Sequence, residues 1–332
     1  METNVTTTAK KYFSRIGLTL FLGSLLIYAV QIVAMAISQN IPAIAENGTL
    51  SFLVAMLPMY VIAFPIIFWA FKKIPSQMSG EKQKMSILQI LAAFCTCYAL
   101  VYLGNIIGSL LVSIVSIFKQ GSVNNLVMDI TTTVHPVVSF LILVVCAPIM
   151  EELLFRKTII DRTASYGEGI SLVFSGLVFG LFHGNLAQFV YAFCLGIILA
   201  YIYLKTRNIL YTIILHIMIN FPAAVLAPII MKKSGITEVL STLGENASSA
   251  ELLSALSENT GGLMLYGGYT CLLLCIVILG IILFFFNRKK LSLNTGEVTI
   301  EKGQRFKTMV LNVGMILYCI FWIAMIILQL LG

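Results

Sequence analysis

The chain has 332 residues, 59% of them hydrophobic and 11% charged, with a net charge of +7 and a mean hydropathy of +0.98. No soluble domain of this size hides so much apolar surface, so the composition excludes a soluble globular protein and specifies a polytopic membrane protein. The apolar runs lack a two-residue alternation, which excludes an outer-membrane barrel and leaves helices as the spanning elements.

A span needs ~20 mostly apolar residues to cross ~30 Å of hydrocarbon. That rule predicts an all-α, polytopic integral membrane helical bundle of about nine transmembrane helices. They cover residues 16–38, 50–71, 87–117, 137–156, 169–184, 187–204, 208–230, 263–286 and 309–330. Eight is the alternative count, because the fifth run is short and the third is long.

The first span follows "KKYFSR". It is too long for a cleavable signal and lacks a small-residue cleavage site, so it is expected to be retained. "QNIPAIAENGT" and "KQGSVNNLVMDITTT" read as outside loops, "KKIPSQMSGEKQK" and "NRKKLSLNTGEVTIEKGQRFK" as inside ones. With a cytoplasmic N-terminus, all of the 21 Lys and Arg fall inside except Lys119, Lys232 and Lys233. That bias sets orientation by the positive-inside rule. The net charge is therefore topology, and no nucleic-acid partner is expected.

The fourth span ends in "CAPIMEELLFRK". A charged side chain at the centre of a membrane helix costs ~2.5–3.5 kcal/mol or more, so each charge here needs a partner or a job. Glu152 and Arg156 are four apart with the acid first, the favourable orientation for an ion pair. Glu151 lies about 100° around the helix, outside that pairing. Pro148 cannot donate to the carbonyl of Val144 and is expected to kink the helix there.

In the fifth span, Gly176, Gly180 and Gly184 recur every four residues, a stripe that lets a neighbouring helix approach closely. Phe179 and His183 share a face, which puts an apolar wall beside the imidazole. In the seventh span His216 and Asn220 are also four apart, so both can point into one cavity. At about 1.5 Å per residue, Glu151, His183, His216 and Asn220 lie within about 7–20 Å of the cytoplasmic helix ends. His135, before Pro136, reads as a solvated boundary residue.

Beyond the seventh span, 232–262 has apolar residues at helical spacing among Glu238, Glu245, Glu251 and Glu258, which suits an amphipathic surface helix. The seven cysteines all fall within predicted spans, an odd number that implies no disulfide framework. Cys271 and Cys275 are expected to be buried small apolar residues. There is no internal repeat or inverted pair of interrupted helices, which weakens a transporter reading.

A glutamate, two histidines and an asparagine in a wet intramembrane pocket suit hydrolysis by activated water. Partial desolvation favours a carboxylate that takes up a proton, as a general base must. His183 could orient the same water, and His216 with the Asn220 amide could serve the oxyanion. There is no H-E-x-x-H and no G-x-G-D, and "GISL" lacks the glycine that would follow a rhomboid-type serine.

"EELLFR" fits E-E-x-x-x-R, "FGLFH" fits F-x-x-x-H and "HIMIN" fits H-x-x-x-N, in that order. The sequence resembles the CPBP intramembrane proteases, also called Abi or type II CAAX-protease-like proteins, which include lysostaphin-resistance-A-like proteins. The resemblance covers 136–232, the expected protease core. Residues 1–135 are N-terminal helices of unassigned role, and 233–332 are an outside segment plus C-terminal helices.

It implies Glu151 as the water-activating residue, His183 as its assistant, His216 and Asn220 as oxyanion donors, and Glu152, Arg156 and Phe179 in support. The family has also been described as metalloproteases. Zinc or another divalent metal would fall to Glu151, His183 and His216, but no cofactor is favoured: Glu152 is committed to Arg156, so a metal would leave the site without a base. The expected partners are the lipid bilayer and a peptide or membrane-protein substrate, lipidated or not, and the expected location is a bacterial cell membrane. A non-catalytic immunity or scaffold relative and an ion- or solute-binding membrane protein are the alternatives.

Overall fold

In the computed structural model, residues 2–76, 78, 80–119, 133–236, 254, 257 and 259–331 are described, and every regular element among them is helical. Eight helices are long and apolar enough to cross a membrane, making this an all-α integral membrane bundle: α1 (Thr6–Gln39), α2 (Gly48–Phe71), α3 (Ile87–Lys119), α4 (Pro136–Tyr166), α6 (Leu186–Thr206), α7 (Ile209–Ser234), α8 (Thr260–Lys290) and α9 (Val313–Leu331). Between α4 and α6 lies α5 (Glu168–Phe182), of 15 residues. It reaches only about 22 Å at about 1.5 Å per residue, less than a full crossing. The predicted nine spans are thus eight full helices and one partial one. The amphipathic helix expected within 232–262 lies almost wholly outside the described residues.

Alpha5 and α6 form a tight hairpin. Gly184 turns the chain with φ +60°, a left-handed conformation natural to glycine. The Asn185 side chain then caps α6 by accepting from the Gln188 amide at 3.1 Å, since buried helix starts need partners for their free N–H groups. Gly184 is therefore the turn residue and not the third step of a helical stripe. Of that stripe, Gly176 and Gly180 pack against α6: a Cβ at Gly196 would sit 2.9 Å from the Gly176 Cα, and one at Gly180 would sit 3.1 Å from the Phe189 carbonyl oxygen. In lipid, such backbone approach replaces the hydrophobic effect as the source of helix association.

Three groups of helices surround the centre. Alpha1, α2 and α9 pack together on one side, and α3, α6 and α8 on the other, with α4 and α7 crossing between them. Alpha9 buttresses α5: the Tyr318 hydroxyl donates to the Val178 carbonyl at 2.7 Å, and Trp322 donates to Ser24 of α1 at 3.1 Å. Cys271 and Cys275 are exposed on the outer face of α8, against the expectation of burial. That helix contributes little to the core, and a small apolar residue is as well placed against lipid as inside.

All the segments assigned to the inside meet at one end of the bundle. Arg162 donates to the carbonyls of Phe71 and Ile74 at the end of α2, at 2.8 and 3.0 Å, where helix carbonyls lack partners. Asp161 accepts from Tyr203 at 2.6 Å and pairs with Lys157 at 2.7 Å. Glu168 pairs with Lys205 at 2.5 Å and accepts from the Asn294 amide at 2.7 Å. At the opposite end the His135 amide donates to Thr49 at 2.9 Å, while its ring caps α4 through the Val137 amide at 3.3 Å.

Candidate functional site

The site begins with an irregularity in α4. Residues Phe140–Cys146 wind in π register, and the Ala147 amide bonds back to the Ile142 carbonyl, five residues away. In that register the next carbonyl, Leu143, looks to residue 148, which is proline and has no N–H. Asn220 of α7 fills the vacancy, donating through Nδ2 to the Leu143 carbonyl at 3.0 Å. The anticipated proline disturbance is present, but the π register moves the orphaned carbonyl from Val144 to Leu143. π segments of this kind recur at functional sites. One N–H of the amide is spent on this anchor, which leaves the other for a ligand.

One turn further on, Glu151 and Glu152 diverge. Glu152 and Arg156 are fully buried and pair at 3.2 Å between Oε2 and Nε, the predicted i, i+4 pair. The guanidinium also lies over the Phe179 ring, 4.4 Å from its centroid, a cation–π contact. Phe179 in turn meets the rings of His183 at 4.9 Å and His216 at 5.8 Å, both edge to face. It is the common wall of the site. Ser175 joins α5 to α4 at this level by donating to the Phe155 carbonyl at 2.8 Å.

Glu151 keeps 16% of its side chain exposed, whereas Glu152 keeps none, so the first carboxylate is partly open and the second is sealed. Its Oε2 lies 3.7 Å from Nε2 of His216. The other ring nitrogen of His216, Nδ1, is 2.9 Å from Oε1 of Glu152. Glu152 is thus shared between Arg156 and His216. No sequence spacing announces that contact, because the two residues are 64 positions apart.

His183 is the first residue past the end of α5, not a mid-helix residue. Its Nδ1 is 2.9 Å from the Phe179 carbonyl. A carbonyl only accepts, so Nδ1 carries the proton and Nε2 of the neutral ring is an acceptor. The charged group that acts on His183 most strongly is Glu151.

The structure therefore brings Glu151, Glu152, Arg156, Phe179, His183 and His216 to one place from α4, α5 and α7, while Asn220, one turn beyond His216, is bonded to the Leu143 carbonyl of α4. The Leu143 carbonyl is the member that residue patterns could not offer. Among the described residues, no three His, Cys, Asp or Glu side chains are grouped so as to hold a metal ion. Glu151, His183 and His216 do not form such a group.

Residues 133–222 match the family described as type II CAAX prenyl endopeptidase Rce1-like. This bears out the resemblance to the CPBP proteins over the segment that carries the three motifs. The chain is also similar to a protein of Bacillus subtilis (strain 168) named "Putative membrane peptidase YdiL", at 24% identity over 166 residues. That alignment takes in 48% of this chain and spans 66% of the relative's length. No solved structure matches the chain.

Proposed function

From a central segment that matches the type II CAAX endopeptidase-like family, we propose that this protein is an intramembrane endopeptidase that hydrolyses a peptide bond with water activated by Glu151. Glu151 takes a proton from water while the oxygen attacks the scissile carbonyl carbon. His183 holds the same water through Nε2. The free N–H of Asn220 and Nε2–H of His216 receive the oxyanion. Collapse breaks the C–N bond, and the proton held by Glu151 passes to the leaving amine. Donation from His216 uses the doubly protonated ring, whose charge with that of Arg156 offsets Glu151 and Glu152.

The observation that carries this reading is the division of labour within the acid pair. Glu152 is sealed and doubly engaged, while Glu151 beside it is partly exposed and within 4 Å of an imidazole nitrogen, at 3.7 Å. Residues 136–232 form the hydrolytic core in this reading, and 1–135 and 233–332 supply the helices around it. The reaction needs no metal, because the site's own residues fill each role. The substrate is a lipidated C-terminus, a secreted peptide's leader or a membrane protein, cut within a bacterial cell membrane.

The test compares the membrane and secreted peptidomes of cells that carry the wild-type protein with those that carry Glu151→Gln. The amide cannot take up the proton, so specific cleavage products should disappear while the protein still inserts at normal abundance. An unchanged peptidome would refute the general-base role and leave a scaffold.

A further inference from the structure

Helix spacing explains Glu152 as the partner of Arg156, yet that pairing uses only one of its oxygens. The two are divided: Oε2 faces Nε of Arg156 at 3.2 Å, and Oε1 faces Nδ1 of His216 at 2.9 Å. We infer that Glu152 is a positioning residue of the hydrolytic site, holding the Nδ1 proton of His216 so that Nε2 is presented to Glu151 and to the reacting carbonyl. The inference rests on the hydrolytic reading above.

A carboxylate only accepts, so the short contact to Nδ1 puts a proton there and fixes which way the ring faces. Flipping the imidazole would put Cδ2 in place of Nδ1 and break that bond. Burial makes the choice firm, because His216 is only 3% exposed and Glu152 is fully enclosed, so no bulk water competes for either group. The edge of the ring is also pinned by Phe179, at 5.8 Å. The arrangement parallels the way an acid fixes the tautomer of a catalytic histidine in hydrolases with a carboxylate–imidazole pair. Arg156 then has a second purpose: it compensates a carboxylate that would otherwise be too costly to bury beside the site.

The charged and titratable groups that face His216 are Glu151 and Glu152 from α4 and His183 at the end of α5. Of these, only Glu152 is hydrogen-bonded to Nδ1 among the described residues. Helix packing alone does not require that bond. A residue present only to neutralise Arg156 would leave the Nδ1 proton of His216 without an acceptor.

The chain has three histidines, so the ring can be read directly. The experiment is 15N NMR of the full-length protein, labelled at histidine and held in lipid nanodiscs. His216 is assigned by the signal lost in His216→Gln. In the wild type, Nδ1 of His216 should carry a directly bonded proton. In Glu152→Leu combined with Arg156→Leu, which removes both charges together, that signal should be lost while His183 keeps its own Nδ1–H to the Phe179 carbonyl. A bare Nδ1 in the wild type would overturn the proposal without any variant. So would an Nδ1–H that survives in the double variant. No substrate is involved, so the outcome stands apart from that of Glu151→Gln in the peptidome.

Discussion

Adjacent carboxylates on a helix point about 100° apart, and here that rotation sends Glu151 towards water and Glu152 into the core. Removing one partner of the buried pair strands the other as an uncompensated charge, which costs ~3–5 kcal/mol. Glu152→Ala should therefore lower the abundance and thermal stability of the purified protein sharply, and adding Arg156→Ala should restore part of the loss. Additive losses in that double-mutant cycle would show the two are uncoupled. The metal question can be tested at this scale. The purified protein should hold well under one zinc per chain and keep its proteolytic activity after chelation; stoichiometric zinc, with activity lost to chelator and regained on refilling, would reverse the assignment. Much of this constellation was legible in the sequence, because i, i+4 spacing alone links Glu152 to Arg156, Phe179 to His183 and His216 to Asn220. What spacing cannot reveal is a contact between helices. The Glu152–His216 bond joins residues 64 apart, and the Leu143 carbonyl has no side chain to notice.

At the level of the helix, hydropathy marks where a span runs but is blind to its register. The π turn at Phe140–Cys146 has the same apolar composition as an α turn. Only Pro148, by removing an N–H, hinted that a carbonyl nearby would need another donor. Pro148→Ala would return that N–H and let it compete with Asn220 for the Leu143 carbonyl. Turnover should fall as the amide loses its anchor, and the effects of Pro148→Ala and Asn220→Leu should be less than additive. In the proposed mechanism Asn220→Leu alone removes an oxyanion donor, for which about 10²–10³ in turnover is the usual loss. Full additivity would mean the two residues act separately. The hairpin of α5 and α6 offers a second check. Its short first arm was visible as a short apolar run, but not the turn at Gly184, which in sequence continues a four-residue glycine rhythm. Gly196→Val forces side-chain atoms into the Gly176 backbone, already 2.9 Å from an ideal Cβ. Overpacking of this kind costs about 1–3 kcal/mol. A drop in melting temperature should accompany it, whereas Gly261→Val, where an added Cβ meets nothing within 4 Å, should leave the melting temperature unchanged.

Across the whole molecule, the charge pattern and the packing agree on how the chain is threaded. The basic segments 10–15, 72–84, 156–162, 205–207 and 288–307, which Lys and Arg placement assigns to one side, meet at one end through Arg15, Arg162, Lys205 and Asn294. Alpha5 does not disturb the threading although it is short. Its first residue, Glu168, pairs with Lys205 near the end of α6 at 2.5 Å, so the chain returns to the end it left. Packing fixes which segments lie together, whereas the positive-inside rule is what assigns that end to the cytoplasm. The assignment can be tested at two exposed positions, Glu46 between α1 and α2 and Lys302 between α8 and α9. In a chain whose native cysteines are replaced, Glu46→Cys should react with an impermeant thiol reagent on intact cells. Lys302→Cys should react only after permeabilisation. The opposite pattern at both positions would invert the protein in its membrane. It would leave the fold and the site geometry unchanged, but it would place the end that carries Glu168 and Asn294 outside the cell.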